Sequence, residues 1–419
     1  MTYPRPSIFA TLLLLADLLC LPLAVLPQEK EKEQVKGVLA ERADDAEVRE
    51  QIAIVEKLKP IVPDRGAVLY FLSTAKQHLG ETREALSLLK ECLALREGFD
   101  PSGDPAFLGL KGSKEFDDLA EKVRRDFPPV AAARFAFLTE EKDLIPEGLA
   151  YDEKQNFYYL SSLNRKKIVK IDSEGRVTDF VPTDRYGLLP VLGIRMDPAD
   201  GSVWADSFED AGRTELLHFD SAGKLLGRYS PKDSAKHGFN DLVLRKNGEV
   251  ITTDSLNNQV FRFDPRSQAF APLTAYRTLF YPNGIALADD DQTLYVADAV
   301  GIVKIDLRSG ESRDVDPGPR NTLAGADGLY WHRGSLIAIQ NGIGSPRVAA
   351  FKLSKDGNRV TQTSVLENHT QFTVLPTTGA IHGNDFYFIA NSQIDNLNGG
   401  KVMDVTKLAP VRIAVVRLP

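Results

Sequence analysis

The chain lacks the residues that several common chemistries require. Only two cysteines, Cys20 and Cys92, occur in 419 residues, which excludes a disulfide framework and a cysteine-rich zinc site. Six histidines are present and none stands in an HExxH-type pair, so histidine ligation of a metal is not indicated. An excess of basic charge is missing too. The 51 Lys+Arg against 58 Asp+Glu give a formal charge of −7, which argues against a nucleic-acid-binding face. Beyond Pro27 no second apolar run is long enough to span a membrane. What is present is a globular composition, 43% hydrophobic with 31 Gly and 24 Pro, in a chain long enough for two or three domains. Any metal it binds should be held by oxygen.

Residues 7–27 read SIFATLLLLADLLCLPLAVLP, preceded by Arg5 and followed by QEKEKEQ. That is the order of regions in a secretory signal peptide. Asp17 in its middle and Pro22 and Pro27 at its end weaken the rival reading, a permanent anchor. The expectation is a leader at 1–27 and export to the periplasm or cell exterior, with anchoring by residues 7–27 as the alternative. Membrane contact is expected only if the segment is uncleaved.

Residues 28–127 carry a helical pattern, best defined at 67–95, AVLYFLSTAKQHLGETREALSLLKECLAL. Gly80 ends one helix, and Ala85, Leu89 and Cys92 share one face of the next. This is similar to a tetratricopeptide hairpin. A single hairpin cannot stack into a long groove, so a helical cap packed on the following domain is favoured over a peptide-binding array. A protein partner for this segment stays open. Cys92 reads as a small buried hydrophobe rather than a nucleophile.

From Ile145 the chain repeats itself. The starts are IPEGLAYD, PVLGIRMDP, GFNDLVLRKNG, YPNGIALADD, GADGLYWHRG and PTTGAIHGN. Their third residues, Glu147, Leu192, Asn240, Asn283, Asp327 and Thr378, are 45, 48, 43, 44 and 51 positions apart. Each start is followed by a second strand (FYYLSS, VWADS, VITTDS, LYVADA, LIAIQN, FYFIAN), and often by a third ending in Asp. Several strands per unit at this period predict a six-bladed β-propeller over 128–419, behind a small helical domain. Strands at 133–139 and 411–418 are expected to share a blade and close the ring.

In such a fold the glycine of each start, for which Asp241 stands in blade three, shapes the turn into the innermost strand, and the residue before it faces the central channel. Four of those six positions carry Glu147, Asn240, Asn283 and Asp327. Two carboxylates and two amides aimed at one axis are unfavourable unless a cation sits between them. The donor set suits Ca2+ with waters completing the shell, and leaves Mg2+, Mn2+ and Zn2+ open. Asp206, Asp254, Asp298, Asn341 and Asn391, at the ends of the second strands, should ring the same mouth.

The order Glu in PEG, Asn in FND, Asn in PNG and Asp in ADG resembles the gluconolactonase/regucalcin (senescence marker protein) family of six-bladed propellers. The resemblance covers Ile145 to the C-terminus. It implies Glu147, Asn283 and Asp327 as metal ligands, Asn240 as a metal or substrate contact, and Asp327 as general base. Gly238 stands where members acting on sugar-acid lactones often carry Arg, a departure that bears on a sugar-acid substrate and leaves the metal untouched. His237 beside it, with Asn240, Asp254 and Asp298, completes the substrate-binding candidates. The expected activity is metal-dependent hydrolysis of a small lactone or ester. The alternative is a non-catalytic propeller, ligand-binding or scaffolding, with a structural channel ion.

Overall fold

The computed structural model describes residues 45–172, 174–209 and 211–419. The apolar segment at 7–27, with Cys20, lies outside them.

Among the described residues four α-helices come first: α1 (Asp45–Leu58), α2 (Arg65–His78), α3 (Thr82–Leu95) and α4 (Lys114–Asp126). Asp64 caps α2, its Oδ1 accepting the Ala67 N–H at 3.1 Å. Gly80, at φ +76°, takes the left-handed turn that reverses the chain into α3. Ala85, Leu89 and Cys92 are fully buried on the α2-facing side of α3, and burial pushes the Cys92 thiol well up. A surface helix buries one stripe. α2 instead buries ten consecutive residues, from Gly66 to Ala75, because it lies between the other helices and the domain that follows.

That domain is a six-bladed β-propeller. Blade one is Leu149–Asp152, Phe157–Ser162, Lys167–Ile171 and Val177–Val181. Blade two is Val191–Met196, Val203–Glu209, Arg213–Phe219 and Leu225–Tyr229; blade three is Phe239–Leu244, Val250–Asp254, Gln259–Asp264 and Ala269–Leu273. Blade four is Ile285–Leu287, Thr293–Asp298, Gly301–Asp306 and Ser312–Asp314. Blade five, Ala326–His332, Ser335–Gln340, Arg347–Leu353 and Val360–Asn368, gains Val130–Ala131 as a fifth, outermost strand. Blade six joins Gly379–His382, Asp385–Ile389 and Val411–Arg417 to Arg134–Thr139, which is its outer edge. The first long strand of the ring therefore pairs with the last, Thr139 opposite Val411 and Arg134 opposite Val415.

The core is divided in the same way. Six apolar clusters fill the six spaces between neighbouring blades. The Asp residues that end the third strands serve the turns: Asp172, Asp220, Asp264 and Asp306 each accept the N–H two residues on, at 2.9–3.0 Å. A seventh cluster carries the blade-six insertion, Ile394, Leu397, Val402 and Leu408, over Ile145, Leu192 and Phe208 at the mouth of blades one and two.

Candidate functional site

The site is set by how closely the innermost strands crowd the axis. A Cβ on Gly148 would lie 2.2 Å from the Leu192 carbonyl oxygen, and one on Gly193 2.6 Å from that of Asn240. One on Gly284 would lie 2.5 Å from the carbonyl oxygen of Asp327. Each of these glycines lets its blade press on the residue before the repeat glycine, or its substitute, in the next blade. Blades one, four and five also enter their inner strands through a left-handed residue two before the channel position. These are Ile145 at φ 48°, Tyr281 at φ 56° and Gly325 at φ 62°. For Ile and Tyr that conformation costs about 1–3 kcal/mol each, and such strain collects at functional sites.

Glu147, Asn240, Asn283 and Asp327 are brought together: all four line one cavity at the mouth, with an empty volume of about 940 Å3 counted out to solvent. Glu147, Asn240 and Asp327 are at most 4% exposed. Their backbones are tied to adjacent blades, with Thr378 donating to the Glu147 carbonyl, Ser392 to Pro146 at 2.6 Å and Thr253 to Asn283 at 2.8 Å. Asn240 gives its amide N–H to Ser255 Oγ at 3.0 Å. Asn341 donates to Asp327 Oδ2 at 2.6 Å. The other oxygen of Asp327 and the Oδ1 of Asn283 are buried without a hydrogen-bond partner. Burial pushes the Asp327 carboxyl up to about 7, against the pull of the Asn341 and Asn283 amides.

Of the five second-strand ends expected at this mouth, Asp298 and Asn341 line the cavity. Asp298 is also committed to structure, accepting from Arg277 Nη1 at 2.6 Å and from the Phe280 N–H at 3.0 Å. Asp254 and His237 lie outside the cavity lining. Asp254 Oδ2 sits 2.5 Å from His237 Nδ1, and its Oδ1 accepts the Gly238 N–H at 2.8 Å. His237 is 4% exposed, and its hydrogen bonds to Asp254 and Asp233 raise it to about 8. Asn391 caps the backbone of Pro410 and Arg412. Gly238 has no room for a side chain, since a Cβ would meet Leu256 at 2.7 Å.

Two features were not read from the sequence. The first is a cation in the channel: Arg195 Nη2 lies 2.9 Å from both carboxylate oxygens of Asp241, with its guanidinium 5.4 Å from the Tyr330 ring centroid. Arg195 stands two residues after the repeat glycine, where the other blades have Ala150, Val243, Ala286, Tyr330 and Ile381, so one charged residue in an uncharged column was the available signal. Asp206, bonded to Thr252 at 2.7 Å, lies close enough to both Arg195 and Asp241 for their charges to act on it. Asp206, Asp241 and Asp327 thus form a cluster of interacting carboxyl groups with one guanidinium beside it.

The second is the roof. Ala67, Tyr70, Phe71, Thr74, Phe99 and Asp104 of the helical segment line the same cavity as the channel oxygens. The segment docks on blades four and five. Phe71 meets Phe280 edge to face at 5.0 Å, the Asp100 N–H donates to Ile343 at 3.1 Å, and Asp64 Oδ2 accepts from Leu323 N and Thr322 Oγ1, both at 2.8 Å.

Fold and site together define a six-bladed propeller whose mouth presents clustered carboxylate and amide oxygens under a helical cap. No protein-family model matches the chain, and no curated protein matches it. Among solved structures it is similar to the pyrroloquinoline-quinone-bound aldose sugar dehydrogenase of Streptomyces coelicolor, at 16% identity and TM-score 0.50 over 68% of this chain and 97% of that one. It is also similar to a gluconolactonase of Xanthomonas campestris, at 18% and 0.46 over 70% and 91%, and to a luciferin-regenerating enzyme, at 14% and 0.47 over 67% and 94%. At these identities the likeness is one of fold.

Proposed function

We propose that the protein is a divalent-metal-dependent hydrolase of the lactonase or esterase type, with Ca2+ the preferred ion. The observation that carries this is the pair of buried, unpartnered acceptors, Asn283 Oδ1 and Asp327 Oδ1, facing one cavity with Glu147 and Asn240. A buried acceptor without a donor costs about 1–3 kcal/mol, and a cation between these oxygens would remove that cost. Among the described residues no cluster of three or more His, Cys, Asp or Glu forms a metal site, so the ligand set needs its amide oxygens.

Glu147, Asn283 and Asp327 would hold the ion, and Asn240 would bind either ion or substrate. When bound, a divalent cation supplies Lewis-acid polarisation of a carbonyl and acidifies water. Asn341 fixes one oxygen of Asp327 and leaves the other toward the cavity. Asp327 Oδ1, which no hydrogen bond occupies, is placed to take the proton of a water attacking the acyl carbon. The same proton then goes to the leaving alkoxide as the acyl C–O bond breaks. Open volume above these oxygens favours catalysis over a sealed plug. Export of this enzyme, directed by the apolar leader, belongs to the same proposal.

The test is a hydrolysis screen of lactones and carboxylic esters with the full chain, before and after chelation. Turnover that is lost with chelator and restored by Ca2+ is expected. Ion binding without turnover of any substrate would favour the non-catalytic reading, a propeller with a structural ion.

A further inference from the structure

The cavity has two unlike ends. Its floor is made of the propeller's oxygens, and its roof belongs to the helical segment. The roof presents Ala67 and Phe71 from α2 and Phe99 from the loop after α3, with Ala299 and Ala326 of the propeller beside them. The polar groups of the roof spend their hydrogens elsewhere. Tyr70 donates to Asp104 Oδ2 at 2.7 Å, and Thr74 donates to the Phe71 carbonyl of its own helix at 2.8 Å. Asp104 Oδ1 is taken by the Ala106 N–H at 2.9 Å. A polyhydroxylated substrate reaching this roof would find acceptors in the Asp104 carboxylate but no hydroxyl donor, so its hydroxyl oxygens would lose hydration without replacement. An alkyl or aryl group would lose only water.

We infer that the helical cap is the specificity element of the site, and that it selects lactones or esters carrying an apolar alkyl or aryl group over polyhydroxylated ones. This rests on the hydrolase reading above. The carbonyl faces Asn240, Asn283 and Asp327, and the apolar group lies under Phe71 and Phe99. The cap cannot be a passive neighbour in this arrangement, because without it the cavity has no apolar wall on that side.

The experiment compares an alkyl-substituted γ-lactone, a phenyl ester and an aldonolactone on the full chain with saturating Ca2+. The apolar substrates should exceed the aldonolactone by tenfold or more in kcat/KM. Phe71→Ala should raise KM for the alkyl lactone about tenfold while kcat stays within about twofold, and should raise it for the aldonolactone by clearly less. Because Phe71 also packs on Phe280, a second variant keeps the test sound. Ala67→Leu adds bulk to the roof, and should penalise long alkyl chains more than short ones. A preference for the aldonolactone, or an unchanged KM in both variants, would overturn the inference. Calorimetry with an alkyl-substituted lactam, which resists hydrolysis, separates it from the reading it rests on. Lactam binding that weakens in Phe71→Ala without any ester cleavage would sink the hydrolase proposal and keep the apolar roof. Hydrolysis with no lactam binding would do the reverse.

Discussion

The Asp64 carboxylate that caps α2 also accepts the hydroxyl of Thr322 at 2.8 Å, across 258 positions of sequence. One side chain thus ends a helix and fastens it to the loop that leads, five residues later, to Asp327. Burial pushes its carboxyl up to about 6. Gln340 holds the far side of the same loop, donating to the Thr322 carbonyl at 3.1 Å.

Asp64→Ala should therefore cost more than an ordinary helix cap. Losing the cap accounts for ~1 kcal/mol, and the buried Leu323 N–H left without its acceptor adds about 1–3 kcal/mol. Urea denaturation of the full chain should show a loss of about 2–4 kcal/mol. A loss below about 0.5 kcal/mol, the size of a neutral surface change, would mean that the cap does not depend on this contact.

Ion binding should register as stability. At a hundredfold excess over Kd, a ligand specific for the folded state adds about 2.7 kcal/mol. Calcium should raise the melting temperature of chelator-treated protein, and Glu147→Gln should shrink that rise by removing one ligand charge. No response to calcium, magnesium or manganese would leave the channel oxygens as the lining of a water-filled pore.

Asp327→Asn keeps shape and an oxygen while losing charge and basicity. Removing a general base costs roughly 10²–10⁴-fold in rate, so kcat should fall by that factor while weakened ion binding persists at high calcium. Wild-type turnover in this variant, with the ion still bound, would move the base elsewhere.

His237 predicts a pH dependence with a definite sign. Its hydrogen bond to Asp254 raises it from 6.5 to about 8 in the folded protein. The stability from this pairing is fully present below about pH 6.5 and is lost as pH rises through about 8. Urea midpoints of the wild type should decline over that window, and those of His237→Gln should decline less. Parallel curves would show that the pairing contributes nothing.

The ring and its channel register were legible because a propeller writes both into a period. Turn glycines and the residue before each recur every 43 to 51 positions, so Glu147, Asn240, Asn283 and Asp327 could be aligned without coordinates. The second-strand ends were less legible, because an Asp there serves whichever donor is near. Asp254 is claimed by His237 and the Gly238 N–H, while Asp298, in the equivalent place, reaches the cavity with Arg277 behind it. The helices were readable one by one, yet their position over the mouth was not. It depends on contacts such as Phe71 with Phe280, and no local pattern links such distant residues. A hint was available in the run AVLYFLSTA, which is too apolar all round for a helix with one wet face.

Ring closure has a consequence for how the molecule is assembled. The cap runs into Val130–Ala131 on the edge of blade five, where Glu367 accepts the Ala132 and Ala133 N–H groups at 2.8 and 2.6 Å, and then into the closing strand of blade six. The partner of that strand, Val411–Arg417, follows the other five blades in the sequence. The roof of the cavity precedes every blade in the sequence, and the strand that fastens it follows the other five. A chain cut before Val411 loses more than one strand: the seam stays open, and the cap hangs from an unclosed edge. A product truncated before Val411 should therefore have neither a sealed ring nor a formed cavity.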